Sequence, residues 1–189
     1  MKIIVRFTPS RWERFHGYLM PKLPGAVPII DDGRGAMQTF LQALGEAGDS
    51  PALILEDDII LTKKFIPKVH RAIAAHRHGI IQFFSRSARD TLGTRKKPGS
   101  TFSMNQCTYF PAGMCQNLLD FYHIWDKKEE NPAGYDIMIA HYLAQTRQGY
   151  FVHVPSLVEH RDVVSEINPR RSTKRQSTTF MDPDTVGLV

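Results

Sequence analysis

The sequence lacks the features that mark several common classes of protein. Its 189 residues include only two cysteines, Cys107 and Cys115, which are too few for a disulfide framework and form no C-x-x-C motif. No apolar run approaches the roughly 20 residues that a transmembrane helix needs. The opening MKIIVRFTPS turns polar too early for a signal peptide and predicts a strand instead. We therefore expect a chain without a membrane span that works in the reducing cytoplasm.

Several catalytic and cofactor-binding motifs are missing as well. The sequence contains no G-x-G-x-x-G, no Walker A segment, no G-x-S-x-G and no H-E-x-x-H, and it has no zinc-finger spacing. These absences argue against the standard dinucleotide-binding, P-loop, serine-hydrolase and zinc-protease classes. The composition, with 42% hydrophobic and 23% charged residues, is ordinary for a globular domain and excludes wholesale disorder.

Positive charge is concentrated in two segments, although the formal net charge of the chain is only +5. Residues 86–97 carry five basic side chains and one acid, and residues 169–189 carry four basic side chains and two acids. The remainder of the chain is close to neutral. This distribution suggests that an anion is bound locally, whereas two solvated flexible loops are the alternative.

Hydrophobic runs and helical periodicities alternate along most of the chain. Strands are predicted at 2–7, 27–30, 52–55, 80–84, 107–110 and 150–154, and helices at about 10–19, 37–47, 65–76, 113–125 and 136–145. This alternation predicts an α/β fold, a mostly parallel sheet with helices on both faces. We expect one domain over residues 1–168, followed by a basic segment over 169–189 that is either disordered or ordered over a ligand.

Three adjacent acids, Glu56, Asp57 and Asp58, follow the apolar strand Ala52–Leu55. Adjacent carboxylates repel one another, and a divalent cation relieves that repulsion. Carboxylate oxygens are suitable ligands for Mg²⁺ or Mn²⁺, and ligands of open α/β sheets bind beyond the carboxyl ends of the strands. The alternative is a solvated turn before the helix that follows Lys63 and Lys64.

The segment ALILEDDIIL resembles the part of GT-A glycosyltransferases in which a hydrophobic strand delivers a D-x-D-type motif to a nucleotide-sugar and its metal. The likeness is greatest to the EDD variant of the family 25 group and to small bacterial and phage relatives. Pro155 to His160, followed by Ser165, Arg175 and Phe180, resembles the closing segment of the same group. The resemblance covers about half of the chain, and the family's usual first acid is Asp where this chain has Glu56.

The resemblance implies a metal site that contains Asp58 and His160 and holds Mn²⁺ or Mg²⁺. Glu56 and Asp57 would contact the ribose or the metal's waters, and a surface histidine after a strand is the alternative interpretation of His160. The other donor-binding residues that we infer are Thr8, Arg11, Asp31, Asp32, Arg34, Lys174 and Arg175.

Asp136 is the candidate catalytic base, because inverting GT-A enzymes place an acid near the acceptor hydroxyl; an N-cap aspartate is the alternative. Asn105 and Gln106 are weaker candidates for contacts with sugar hydroxyls. The implied function is metal-dependent transfer of a sugar, most simply from a UDP-sugar, to an acceptor hydroxyl on a glycan or on a hydroxymethylated base of phage DNA. The alternative function is a metal-dependent, nuclease-like enzyme or a DNA-binding module, since acids, a histidine and basic loops would serve either.

Overall fold

The computed structural model describes residues 1–87, 89–90, 93–161 and 176–188. The strands in these ranges are β1 (Lys2–Phe7), β2 (Val27–Ile30), β3 (Ala52–Glu56), β4 (Ile59–Leu61), β5 (Ile81–Gln82), β6 (Arg95–Pro98), β7 (Cys107–Phe110), β8 (Gly149–Val152) and β9 (Val158–His160). The α-helices are α1 (Trp12–Arg14), α2 (Met20–Lys22), α3 (Ala36–Ala47), α4 (Phe65–His76), α5 (Met114–Ile124) and α6 (Tyr135–Gln145). A π-helical turn, Phe15–Leu19, joins α1 to α2, and short 3-10 turns cover Pro9–Arg11 and Gly99–Thr101.

Seven strands form one mixed sheet in the order β2-β1-β3-β7-β5-β8-β6. The strands β2, β1, β3, β5 and β8 run in one direction, and β7 and β6 run against their neighbours. The remaining two strands, β4 and β9, pair antiparallel as a separate ribbon. The predicted fold class, an α/β domain with a mostly parallel sheet, is confirmed.

The apolar sequence of β3 reflects burial on both faces of the sheet. Ile54 packs into one core, whereas Leu53 and Leu55 pack into the other. The helices α3, α5 and α6 cover the first face, and α4 covers the second together with the helical residues 12–22. A strand with two covered faces needs apolar side chains at every position, which is the pattern from which the strand was predicted.

Most predicted elements lie within one or two residues of the observed ones, but one predicted strand is too long, one predicted loop contains a strand, and two strands were not predicted. The strand predicted at 80–84 is limited to Ile81–Gln82. The basic segment 86–97 was predicted as a loop, yet its end forms the edge strand β6, which pairs with β8. The ribbon of β4 and β9 was not predicted at all. The three-residue strands β4 and β9 carry too little periodicity to be recognised, and the polar sequence RKKP of β6 carries no strand pattern; all three form because a partner strand lies beside them.

No helix in the described ranges has the length and apolar character needed to cross a bilayer. The described C-terminal residues 176–188 pack against the body of the domain. The backbone of Thr62 bridges Pro183, and the hydroxyl of Tyr18 donates a hydrogen bond of 2.7 Å to the carbonyl of Asp184. The predicted boundary at residue 168 falls outside the described residues, so it stays a prediction.

Candidate active site

A cleft of about 410 Å³ opens at the carboxyl ends of β1, β2 and β3 and at the start of β7. Parallel strands that end together leave their following residues at one edge of the sheet, which is where ligands of open α/β sheets bind. The charged side chains that line the cleft are Arg6, Arg11, Asp31, Glu56, Asp57, Asp58 and Asp136. We name the three successive acids Glu56, Asp57 and Asp58 the acidic corner.

Glu56, the first acid of the corner, pairs with a buried arginine of β1. The Nη2 atom of Arg6 lies 2.9 Å from Oε1 of Glu56, and the hydroxyl of Tyr135 donates a hydrogen bond to the same oxygen. The guanidinium of Arg6 also stacks over the Tyr135 ring at 4.4 Å. Burial and the nearby charge of Asp58 raise the pKa of Glu56 to about 7, against the opposing influence of Arg6. Glu56 is therefore held by Arg6 and Tyr135 in a buried, low-dielectric environment.

Asp57 is held by groups from the segment that follows β1. Its Oδ1 atom lies 2.6 Å from Nη1 of Arg11, and its Oδ2 atom accepts a hydrogen bond of 3.1 Å from the backbone nitrogen of Thr8. Burial raises the pKa of Asp57 even though Arg11 acts in the opposite direction. The guanidinium of Arg14 donates to the backbone carbonyls of Asp57 and Ile59 and so holds the turn itself. Asp57 therefore contacts Thr8 and Arg11, two of the residues predicted to bind the nucleotide-sugar donor.

Asp58 and His160 are brought together by the ribbon of β4 and β9. Ile59 is in register with His160, and the backbone nitrogen of Arg161 donates to the carbonyl of Asp58 at 2.7 Å. Nε2 of His160 lies 3.3 Å from Oδ2 of Asp58, as does Nη1 of Arg11. Burial alone would raise the pKa of Asp58, but the hydrogen bond and charge of His160, together with Arg11, lower it below its usual value. Asp58 is therefore ionised at neutral pH.

The donor set at Asp58 suits a hard divalent cation. The Oδ1 atom of Asp58 is buried and has no hydrogen-bond partner among the described residues. Within the described ranges, no three His, Cys, Asp or Glu side chains converge as a metal-binding group. Mg²⁺ sites commonly use one or two protein ligands together with substrate phosphates and waters. A carboxylate oxygen and an imidazole would fit such a site.

The acids that follow β2 divide between the cleft and the surface. Asp31 lines the cleft, and its Oδ1 atom accepts hydrogen bonds from the backbone nitrogens of Gly33 and Gly35. Asp32 and Arg34 are exposed and pair with each other through two contacts of 2.8 Å. Neither belongs to the described lining of the cleft. The structure thus brings Asp31 to the cleft and leaves Asp32 and Arg34 outside its described lining.

Asp136 lines the cleft from the first turn of α6. The N-cap of this helix is Gly134, so the alternative interpretation of Asp136 as the N-cap is wrong. Its Oδ1 atom accepts a hydrogen bond of 3.1 Å from the backbone nitrogen of Ile137. Half-buried at the cleft wall, its carboxylate is placed to meet a ligand.

The amide of Asn105 is the most conspicuous unpaired polar group of the cleft. Asn105 is 3% exposed, and neither its Oδ1 nor its Nδ2 atom has a hydrogen-bond partner among the described residues. The Oε1 atom of neighbouring Gln106 is also buried and unpartnered. A buried polar group without a partner costs about 1–3 kcal/mol, and a ligand with hydroxyl groups would recover that cost.

Sequence reasoning missed Arg6, Arg14 and Tyr135, which hold the acidic corner in place. A signal for Arg6 was present, since an arginine at the end of the apolar strand KIIVRF needs a buried anion as its partner. Nothing local marked Arg14 or Tyr135. Two predicted donor-binding residues, Lys174 and Arg175, lie outside the described residues.

Comparisons with known proteins support the fold. No family model matches the sequence, and no curated protein is significantly similar to it. Among solved structures, a protein described as a glucose-1-phosphate thymidylyltransferase from Bacillus anthracis, in complex with sucrose, is 9% identical with a TM-score of 0.50. The alignment covers 85% of this chain and 89% of that chain. CTP:phosphocholine cytidylyltransferase from Streptococcus pneumoniae is 13% identical over 86% of this chain and 74% of its own, with a TM-score of 0.49.

At these identities the likeness is one of fold. The thymidylyltransferase structure supports a Rossmann-like α/β architecture for this chain. This likeness says nothing about the family 25 group, so the assignment of the chain to that group stays a prediction.

Proposed function

We propose that this chain is a metal-dependent glycosyltransferase of GT-A type that takes a nucleotide-diphosphate sugar, most simply a UDP-sugar, as its donor. The observation that carries the proposal is Asp58 in the cleft at the carboxyl end of β3: its buried Oδ1 atom has no hydrogen-bond partner among the described residues, and its Oδ2 atom lies 3.3 Å from Nε2 of His160. A divalent cation held there would neutralise charge on the departing diphosphate.

The electrostatics of the cleft support a requirement for a cation. Five carboxylates line it, and its two described cations, Arg6 and Arg11, already pair with acids of the corner. A diphosphate entering this cleft alone would meet net negative charge, which disfavours binding. A nucleotide-diphosphate should therefore bind well only together with Mn²⁺ or Mg²⁺.

The remaining groups of the cleft suit the sugar and its acceptor. The amide of Asn105, which has no hydrogen-bond partner among the described residues, can both donate to and accept from sugar hydroxyls. In an inverting reaction, the acceptor oxygen bonds to the anomeric carbon, the bond to the diphosphate breaks, and its electron pair leaves with the nucleoside diphosphate. Asp136 would take the acceptor proton in that step. A retaining reaction would use an oxygen of the leaving phosphate as the base instead.

Calorimetric titration of UDP, GDP and their sugars, with and without Mn²⁺, tests the proposal. We expect at least one nucleotide to bind only in the presence of Mn²⁺, and Asp58→Asn to remove that metal-dependent binding because it weakens the metal site. Asp32→Asn is the matched control, since Asp32 is exposed and pairs only with Arg34 among the contacts described. If wild-type protein with Mn²⁺ binds no nucleotide diphosphate, the proposed function is wrong.

Asp136→Asn separates the chemistry from binding. Because Asp136 is assigned to the proton transfer, the variant should lower kcat by about two or more orders of magnitude. Its metal-dependent affinity for the donor should stay near that of the wild type. If the variant and the wild type have the same kcat, Asp136 is not the catalytic base.

A further inference from the structure

A second cleft, of about 570 Å³, lies next to the candidate active site and carries the opposite charge. It lies between β6 and the segment that follows β5. The cations that line it are Arg86, Arg89, Arg95, Lys96 and Lys97, and its described lining contains no carboxylate. The two clefts share Met104 in their walls. We name this feature the basic cleft.

A buried carboxylate that does not line the cleft forms ion pairs with two of these cations. The side chain of Asp90 is completely buried and does not line the cleft. It pairs with Arg95, lies 3.1 Å from Nζ of Lys97 and accepts a hydrogen bond from the hydroxyl of Ser85. Two cations share one anion, so the pairing holds them in place while leaving positive charge in excess. Arg89 and Lys96 are exposed and add to that excess.

The wall between the two clefts is held in a specific backbone conformation. Met104 has a φ of 66°, in the left-handed region that a non-glycine residue rarely adopts. The side-chain amide of Gln82 donates to the carbonyls of Ser103 and Met104 and stabilises this turn. On the active-site side of the turn lies the amide of Asn105, which no described residue pairs with. One ordered turn thus separates a phosphate-attracting cleft from the cleft that holds the acidic corner.

The basic cleft is suited to an anion other than the donor diphosphate. Asp58 and His160, the pair assigned to the metal, do not belong to its described lining. Its two aromatic residues, Phe84 and Tyr150, are at most 2% exposed and offer no free ring on which a base could stack. Arg and Lys side chains pair well with phosphate oxygens.

We propose that the basic cleft binds phosphate groups carried by the acceptor, while the acceptor's reacting end enters the active-site cleft past Met104. Only the assignment of this phosphate to the acceptor rests on the proposed function. The phosphate can be a monoester on a small acceptor or a diester in a nucleic-acid strand, and both present the same oxygens to the cleft.

Binding of two probes to metal-free protein in EDTA tests the proposal. The probes are inorganic phosphate and a short single-stranded oligothymidylate, each titrated over a range of salt concentrations. The test variant is Arg89→Gln with Lys96→Gln, both exposed and therefore safe for folding. The control variant is Arg71→Gln with Arg77→Gln, which removes two exposed cations from α4 and the turn after it, before β5 begins.

We expect wild type to bind at least one probe and the Arg89/Lys96 variant to bind it about tenfold more weakly or worse. For the oligothymidylate, the slope of log affinity against log salt should fall by about 0.7 for each cation that contacts a phosphate. If inorganic phosphate binds and competes with the oligothymidylate, the cleft is a site for phosphate monoesters. If the oligothymidylate binds and inorganic phosphate does not compete with it, the cleft binds a diester strand. Both results support the proposal. No binding of either probe, or an equal loss in the Arg71/Arg77 control, would overturn it.

A parallel titration of UDP with Mn²⁺ keeps the two proposals apart. The Arg89/Lys96 variant should bind the nucleotide like wild type, because neither residue lines the active-site cleft. If wild type binds a phosphate probe but no nucleotide, the proposed function fails and the basic cleft remains a phosphate site. If wild type binds the nucleotide with Mn²⁺ but neither phosphate probe, the proposal for the basic cleft is wrong and the proposed function stands.

Discussion

Arginines from the first strand and the helical residues after it hold each part of the acidic corner. Arg6 pairs with Glu56, Arg11 pairs with Asp57 and approaches Asp58, and Arg14 binds the backbone of the turn. The repulsion among adjacent carboxylates, from which a metal was inferred, is therefore relieved in part by the protein itself. What remains for a cation is the Oδ1 atom of Asp58, which has no hydrogen-bond partner in the described part of the chain.

Replacing Arg6 tests how much of this network depends on one buried charge. Arg6→Met should lower the free energy of unfolding by about 3 kcal/mol or more, since it leaves Glu56 buried without its cation. Adding Glu56→Gln should recover much of that loss, because the uncompensated charge is removed. Urea denaturation of the single and double variants measures both effects.

The matched control is Lys2→Met, at the other end of the same strand. Lys2 pairs with Glu46 on the surface, where both side chains are 41% exposed, so its loss should cost less than about 1 kcal/mol. An Arg6→Met cost no larger than this control would mean that the buried pair contributes no more than a surface one.

Beside the basic cleft, the turn Gly99–Thr101 packs tightly against α6. A Cβ atom built on Gly99 would overlap the Cβ of Leu143 in α6 and the carbonyl of Gln148. This close approach lets the turn lie directly against α6. Gly45 lies in the last turn of α3, and among the described residues no atom outside the local helix backbone lies within 4 Å of its added Cβ.

Alanine substitutions at these two glycines should act in opposite directions. Gly99→Ala should lower the free energy of unfolding by about 1–3 kcal/mol through overpacking. Gly45→Ala should raise it by as much as about 1 kcal/mol, because alanine favours the helix and fits without contact. Thermal unfolding of both variants checks the signs. A Gly99→Ala protein as stable as wild type would show that α6 can shift away from the turn.

The described residues near the C-terminus contact both the helical residues 12–22 and the segment that contains β4. The hydroxyl of Tyr18 accepts a hydrogen bond from the nitrogen of Leu61 and donates to the carbonyl of Asp184, and Nζ of Lys22 lies 2.7 Å from Oδ1 of Asp184. The backbone nitrogen of Lys63 donates to the carbonyl of Asp182. These contacts tie the end of the chain to β4, which leads out of the acidic corner.

Ending the chain at residue 181 should therefore destabilise the whole domain. Loss of the partners of Tyr18, Lys22 and Lys63 should cost about 2 kcal/mol, which lowers Tm by about 4–8 °C for a chain of this size. Val186→Ala is the control, because Val186 is 79% exposed and its truncation should change stability by less than about 0.5 kcal/mol. An unchanged Tm on truncation would mean that this segment only rests on the surface.

Local patterns were enough to predict much of the architecture. The helix predicted at 65–76 coincides with α4, and the strands predicted at 2–7, 27–30 and 107–110 coincide with β1, β2 and β7. Helical and strand periodicities are local, so each can be recognised without knowing its neighbours. Short strands such as β4, β6 and β9 form because a partner is beside them, and no local pattern records that partner.

Residue order and periodicity are enough to predict that three carboxylates follow an apolar strand and that the chain is an α/β domain. Neither could predict that His160 lies beside Asp58, that Arg6 and Tyr135 meet at Glu56, or that a basic cleft adjoins an acidic one. These neighbours are distant in sequence. Their contacts depend on the order of strands in the sheet and on antiparallel pairing, which arise when the whole chain buries its two cores together.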